Sequence, residues 1–267
     1  MSGTLVFSHA NSYPAACYRL LFEAWRAAGW EVHALPKFGH DSARPVTSNW
    51  PHLLQELLHF IDHEVRPTAP VALVGHSLGG LLSLMAAAKR PELARCVVQL
   101  DSPYISGWRQ GLVIAGKATG LAFRVPPASI ARGRRKHWPS PEAVRQHFGS
   151  KRLFQAWDPR VLEDYLQHGF EPDPVKGGVQ LAFKREVEMR IYAGLPHNLP
   201  SYAKRVRVPI GFVAGKRSVE LRQGGLAATR RFIKPENYLE IDGSHLFPFE
   251  HPEASAALVL SLLQRLG

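Results

Sequence analysis

At 267 residues, with 45% apolar and 21% charged side chains, the chain has the length and composition of a globular protein with a full core, which excludes a disordered chain. No run of about 18 apolar residues occurs, so no membrane-spanning helix is expected. Thirty-three Lys and Arg against 22 Asp and Glu leave a net charge of +11, which bears on solubility and acidic partners more than on fold.

The chain opens directly into a strand-like stretch, with no basic segment followed by a long apolar one, so a signal peptide is not expected. Leu5-Val6-Phe7 is that first strand, closed by the turn-rich His9-Ala10-Asn11-Ser12-Tyr13-Pro14. Tyr18, Leu21, Phe22 and Trp25 recur at helical spacing up to Gly29, and Val32 to Leu35 gives a second strand. Pro51 can open a helix whose buried face is Leu53, Leu54, Leu57, Leu58 and Ile61. Val71-Ala72-Leu73-Val74 is apolar throughout, as strands covered on both faces are. A glycine-bracketed turn leads into a helix from Leu81 to Arg90, and Cys96 to Leu100 is the next strand. Pro209 to Val213 and Tyr238 to Ile241 are two more, accompanied by helices over Leu226 to Phe232 and Pro252 to Leu266. Alternation of this kind predicts an α/β fold: a mostly parallel six-stranded sheet with helices on both faces. Cys17 and Cys96 fall in apolar periodic segments and read as small buried side chains of a protein in the reducing cytoplasm.

Between residues 104 and 207 the alternation stops. Pro141 to Phe148 and Pro159 to His168 read as helices opened by proline, and no convincing buried strand occurs. About a hundred residues is too long for a plain crossover. We therefore expect a core of residues 1–103 and 208–267 carrying a helical cap, residues 104–207, over the sheet's C-terminal edge. Phe123, Trp138, Phe148, Phe154, Trp157, Tyr165 and Tyr192 could line an apolar pocket there, or pack the cap helices on one another. Arg132-Gly133-Arg134-Arg135-Lys136 reads as a solvated basic stretch; with no nucleic-acid-binding signature beside it, no nucleic-acid partner is expected.

The chemistry centres on Gly75-His76-Ser77-Leu78-Gly79, a G-x-S-x-G pattern between a buried strand and a helix. The sharp reversal forces Ser77 into a strained backbone conformation, and side chains at 75 or 79 would strike neighbouring backbone. Ser77 is thereby held clear of the sheet, at a helix N-terminus that favours developing negative charge. His76 reads as a filler of the variable position.

With Gly80, the segment Gly75-His76-Ser77-Leu78-Gly79-Gly80 resembles a common elbow of the α/β-hydrolase family. Gly243-Ser244-His245, followed by Glu250 and Pro252, is similar to that family's histidine loop. The likeness runs over essentially the whole chain, without the two leading strands of the full fold. It implies a Ser-His-acid triad with Ser77 as nucleophile and His245 as base, His251 being a distant second among the 13 histidines. The family's usual acid would fall at position 218, which is Ser, within Gly215-Lys216-Arg217-Ser218. Asp101, directly after the strand Cys96 to Leu100, is the preferred replacement and Glu220 the alternative; both keep the chain order Ser, acid, His. An oxyanion hole would use the backbone N–H of Leu78 and a second N–H from the loop after the first strand, from Ala10 or from Ser12 to Tyr13, with His9 bracing that loop. The implied reaction is acyl transfer on a small-molecule ester through an acyl-enzyme, with no metal or organic cofactor. Thioesterase, lactonase, amidase and carbon–carbon hydrolase chemistry stay open on the same triad, and a non-catalytic receptor scaffold is the reading from another class.

Overall fold

The apolar runs become strands of one sheet in the computed structural model, which describes residues 2–267. In chain order the strands are β1 (Gly3–Ser8), β2 (Trp30–Ala34), β3 (Val71–His76), β4 (Ala94–Leu100), three short ones, β5 (His137–Trp138), β6 (Phe170–Pro172) and β7 (Val179–Leu181), then β8 (Ile210–Gly215) and β9 (Tyr238–Ile241). Six of them form the main sheet in the order β2-β1-β3-β4-β8-β9, with every neighbouring pair parallel. β3 is buried at all six positions because both faces are covered, which is why its sequence shows no alternation.

Register decides what the sheet presents at its C-terminal edge. Ser8 lies opposite Gly75, His76 opposite Leu100, Leu100 opposite Val213, and Gly215 opposite Ile241. Strands β1, β3, β4, β8 and β9 thus end level, and their following loops converge. The helices Arg19–Ala27 and Pro252–Leu266 cover one face, where Trp25 is fully buried and donates its indole N–H to the Ala256 carbonyl at 3.2 Å. The helices Pro51–Phe60 and Leu78–Lys89 cover the other, setting Leu53, Leu57, Leu82 and Met85 against Val6, Leu73 and Val97. Every residue from Leu78 to Ala88 is buried, so that helix is apolar all round.

Between β4 and β8 lie seven α-helices, a short 3-10 helix and, contrary to the expectation of helices alone, the separate antiparallel sheet β5-β7-β6. Its strands are two or three residues long, too short to print a period-two pattern on the sequence. Pro172 is tolerated because β6 is an edge strand, where a missing N–H costs no ladder bond. The two anticipated helices appear as Pro141–Gly149 and Pro159–His168, capped by Ser140 accepting from the Ala143 N–H and Asp158 from the Arg160 N–H.

Most of the insertion's aromatic residues pack on one another. Phe148, Phe154, Trp157 and Tyr165 meet at centroid distances of 4.6–5.7 Å, and Trp138 joins through Phe148 at 5.6 Å. Trp157 then meets Phe249 at 4.7 Å and Tyr13 at 5.6 Å, anchoring this part of the insertion to loops of the main sheet. Among the described residues, no helix is long and apolar enough to cross a membrane.

Candidate active site

The site is assembled at the level ends of β3, β4, β8 and β9. Past β3, Ser77 adopts φ 53° and ψ −115°, a left-handed turn that only a tightly constrained fold imposes on a residue with a side chain. The constraint is visible in its glycines. A Cβ on Gly79 would stand 1.9 Å from the Ser8 carbonyl oxygen, and one on Gly75 would stand 2.3 Å from the Gly79 backbone. Gly80 belongs with them, since its Cβ would meet the Ser102 hydroxyl at 2.1 Å. The Ser77 N–H donates to the Leu100 carbonyl at 2.9 Å, tying the turn to the end of β4.

The Ser77 hydroxyl lies 3.0 Å from Nε2 of His245, whose Nδ1 lies 2.6 Å from Oδ2 of Asp101. Asp101 is fully buried and itself has φ 46°. Its Oδ1 accepts the Gly215 N–H at 2.9 Å, and Oδ2 also accepts the Ser218 hydroxyl at 2.5 Å. Ser218 therefore does not leave an empty place: it caps the helix Val219–Gly224, accepting the Leu221 N–H at 3.0 Å, and turns its own proton onto the carboxylate. Burial disfavours a protonated His245, but the hydrogen bond and charge of Asp101, helped by the charge of Glu220, outweigh it and raise the imidazole above its ordinary value of 6.5. Glu220 acts on His245 through its charge and lines the cavity beside it, whereas Asp101 is the carboxylate hydrogen-bonded to the ring. His251 is an exposed residue at the start of the last helix.

The histidine loop is held from two sides. Glu250 accepts the Ser244 N–H at 3.0 Å and the Ser244 hydroxyl, and Ser244 Oγ accepts the Leu246 N–H at 3.0 Å. On the other side stands His76, read above as a filler. It is fully buried with both ring nitrogens engaged: Nε2 lies 2.8 Å from the His245 carbonyl and Nδ1 2.7 Å from the Tyr18 hydroxyl. A carbonyl only accepts, so Nε2 carries the proton and Nδ1 accepts from Tyr18. The Tyr18 oxygen in turn accepts the Ala10 N–H at 3.1 Å. Burial and the neighbouring His245 keep the His76 ring neutral, well below 6.5. One chain of hydrogen bonds thus joins the loop after β1 to the loop after β9.

That relay bears on the expected oxyanion donors. The Ala10 N–H is taken by Tyr18, and the Tyr13 N–H points to the Ala10 carbonyl at 3.4 Å. Ser12 sits at φ 79° with its side chain buried. His9 braces the loop from below, donating to the Ala10 carbonyl at 2.7 Å and accepting the Phe38 N–H at 2.9 Å, and burial lowers its pKa to about 4. Leu78 and Asn11 both line the cavity beside Ser77. Asn11 was missed in the sequence, where it is one small residue among several in a turn.

The cavity over Ser77 and His245 holds about 350 Å³. Trp50, Leu81, Ile105, Ile191 and Leu195 supply apolar wall, and Asn11, Tyr192, Glu220 and Gln223 supply polar groups. Of the aromatic residues considered for this pocket, Tyr192 lines it, Phe123 is exposed, and the others belong to the packed cluster described above. Among the described residues, no group of three or more His, Cys, Asp or Glu is placed to hold a metal ion.

A strained serine between buried strand and helix, a histidine after the last strand and a carboxylate behind it are the organisation of a hydrolase fold. The sequence agrees: the profile of the Alpha/beta hydrolase family matches residues 5–258, and the chain belongs to that family, which sets it among hydrolases. A monoglyceride lipase of Rattus norvegicus is 31% identical over 144 residues, 49% of this chain and 46% of that enzyme, so the match spans about half of each. E-2-(acetamidomethylene)succinate hydrolase superposes with a TM-score of 0.76 at 21% identity, covering 99% of this chain and 92% of its own. The thioesterase domain from the curacin biosynthetic pathway gives 0.70 at 18% identity, covering 97% and 90%. At these identities the likeness is one of fold.

Proposed function

We propose that the chain is a serine hydrolase acting on a carboxylic ester of a small molecule through a Ser77-His245-Asp101 triad. The observation that carries this reading is the continuous contact from Ser77 Oγ through both nitrogens of His245 to Asp101, opening into a cavity with apolar walls. His245 Nε2 takes the Ser77 proton as Oγ attacks the acyl carbon, and the imidazolium is held by Asp101. The same proton then goes to the leaving alkoxide. Water, activated by His245, releases the acid and restores Ser77. The oxyanion is stabilised by the backbone N–H groups of Leu78 and Asn11, the latter replacing Ala10 because the Ala10 donor is committed to Tyr18.

Residues 104–207 serve as a cap in this reading, since Ile105, Pro127, Ile191, Tyr192 and Leu195 wall the cavity. The unpaired buried thiols of Cys17 and Cys96 suit a cytoplasmic enzyme. A thioester presents the same acyl carbon, and the likeness to a thioesterase domain keeps that substrate class as the second reading. A fluorophosphonate probe tests the core of the proposal, because only an activated serine reacts. Labelling at Ser77, abolished in Ser77→Ala, is the expected outcome; an unlabelled native protein would sink it. A panel of p-nitrophenyl esters, acyl thioesters and lactones then ranks the substrate classes.

A further inference from the structure

Of the ten large apolar side chains exposed among the described residues, seven lie between Trp108 and Ile130. Trp108 is 67% exposed, Leu112 61% and Ile130 63%. Every residue of the helix Trp108–Ala118 keeps part of its surface in contact with water, which an isolated amphipathic helix on a folded core has no reason to do. Apolar side chains scattered singly over a surface need no explanation, but a concentration of this kind marks an interaction face.

Its electrostatics are equally one-sided. From Ser102 to Pro141 the chain carries seven Lys and Arg and neither Asp nor Glu. Acids reach this stretch from the helix Arg185–Ala193: Glu188 pairs with Arg134 at 2.6 Å and Glu186 with Lys136 at 3.1 Å. Arg124, Arg132 and Arg135 are exposed, and the Arg109 guanidinium lies over the Trp108 ring at 4.7 Å. The face is also continuous with the cavity, for Pro103 and Ile105 on one side of it and Pro127 within it line the space over Ser77.

We propose that the face built by residues 108–130 docks on an anionic lipid surface and turns the mouth of the cavity towards it. Aliphatic and indole groups enter the acyl boundary, while the guanidinium groups beside them stay at headgroup level against phosphate. A protein partner would require acids placed to meet these cations; a membrane supplies them everywhere. The site then receives its substrate from the bilayer, whichever acyl bond Ser77 attacks.

The chain carries its own reporter. Of six tryptophans, Trp25, Trp30, Trp50, Trp138 and Trp157 are buried and Trp108 is exposed. The whole protein is floated with vesicles of phosphatidylcholine, with and without phosphatidylglycerol, and its emission is followed with brominated acyl chains. The expected result is flotation with the anionic vesicles, weakened by added salt, with a blue shift and bromine quenching that Trp108→Phe removes. Leu112→Ser with Ile130→Ser lowers partitioning about ten-fold or more. Arg124→Glu with Arg132→Glu does so by about 25-fold or more on anionic vesicles, since each cation at such a surface contributes roughly five-fold. Both pairs keep hydrolysis of a soluble ester, which separates loss of docking from loss of the triad. The proposal is overturned if the native protein stays with the unbound fraction. Binding indifferent to the serine pair, or without quenching of Trp108, overturns it in favour of diffuse attraction by the +11 charge. A concentration-dependent dimer that shields Trp108 overturns it in favour of a second copy.

Discussion

The loop ends that carry Ser77, Asp101 and His245 and the stretch that carries Trp108 to Ile130 are built on opposite terms. Both carboxylate oxygens of Asp101 have partners inside the protein, and the backbone is held in left-handed turns at both Ser77 and Asp101. Around Trp108 the side chains face water, and Trp108 makes contact with its own neighbour, Arg109. Chemistry that tolerates errors of a few tenths of an ångström is fixed by buried strand ends. Contact with variable surroundings is left to a segment whose partners lie outside the fold.

If the comparison holds, changes at the strand ends cost far more than changes in the cavity wall supplied by the insertion. Ser77→Ala should leave the fold intact and reduce ester hydrolysis by about 10⁴ to 10⁶. Retention of more than a few per cent would assign the nucleophile elsewhere. Asp101→Asn should lower kcat by roughly several hundred-fold or more with little change in KM, against a few-fold for Glu220→Gln. Its pH profile supplies a second check. With neutral His245 as the proposed base, kcat/KM in the native chain should rise with pH through an inflection above 6.5 and that inflection should fall in Asp101→Asn, where the raising contact is lost. Equal, mild losses in both amide variants would leave the third residue unassigned.

His76→Phe should come next. It removes the middle of the relay between Tyr18 and the His245 carbonyl, leaving the buried Tyr18 O–H donor and that carbonyl acceptor without their partner at a cost of about 1–3 kcal/mol each. Thermal denaturation should show that loss, with a drop in kcat of roughly ten-fold as the His245 loop loosens. Native stability in the variant would make the relay ornamental. The smallest effect is expected from Ile191→Ala and Leu195→Ala, which enlarge the cavity and should shift preference among ester chain lengths by a few-fold while short esters are cleaved as before. An unchanged preference would separate the insertion from substrate choice.

The main sheet was legible because β1, β3 and β4 are buried on both faces and write apolar runs into the sequence. Strands β5, β6 and β7 were not, since two or three residues such as His137 and Trp138 carry no period. The elbow was legible through its glycines. Its surroundings were less so, because they depend on register: the ends of β4 and β8 lie side by side, and only that adjacency brings Ser218 and Gly215 onto Asp101. His76 could have been noticed. A histidine closing a run buried at every position needs two partners, and polar groups so placed find them.

The Ser218 contact has a consequence for how such a site can change over generations. The carboxylate stands at the end of β4, while the position just past β8 holds a hydroxyl 2.5 Å away that feeds it a proton. An aspartate arriving at 218 first would set two negative groups on one buried imidazole nitrogen, forcing a proton onto one of them. Ser218→Asp alone should therefore slow turnover, and Asp101→Asn made with it should recover part of the loss; a single change that is neutral would refute this. That outcome would make the two positions epistatic, with the acid able to move between strand ends by exchange and not by addition.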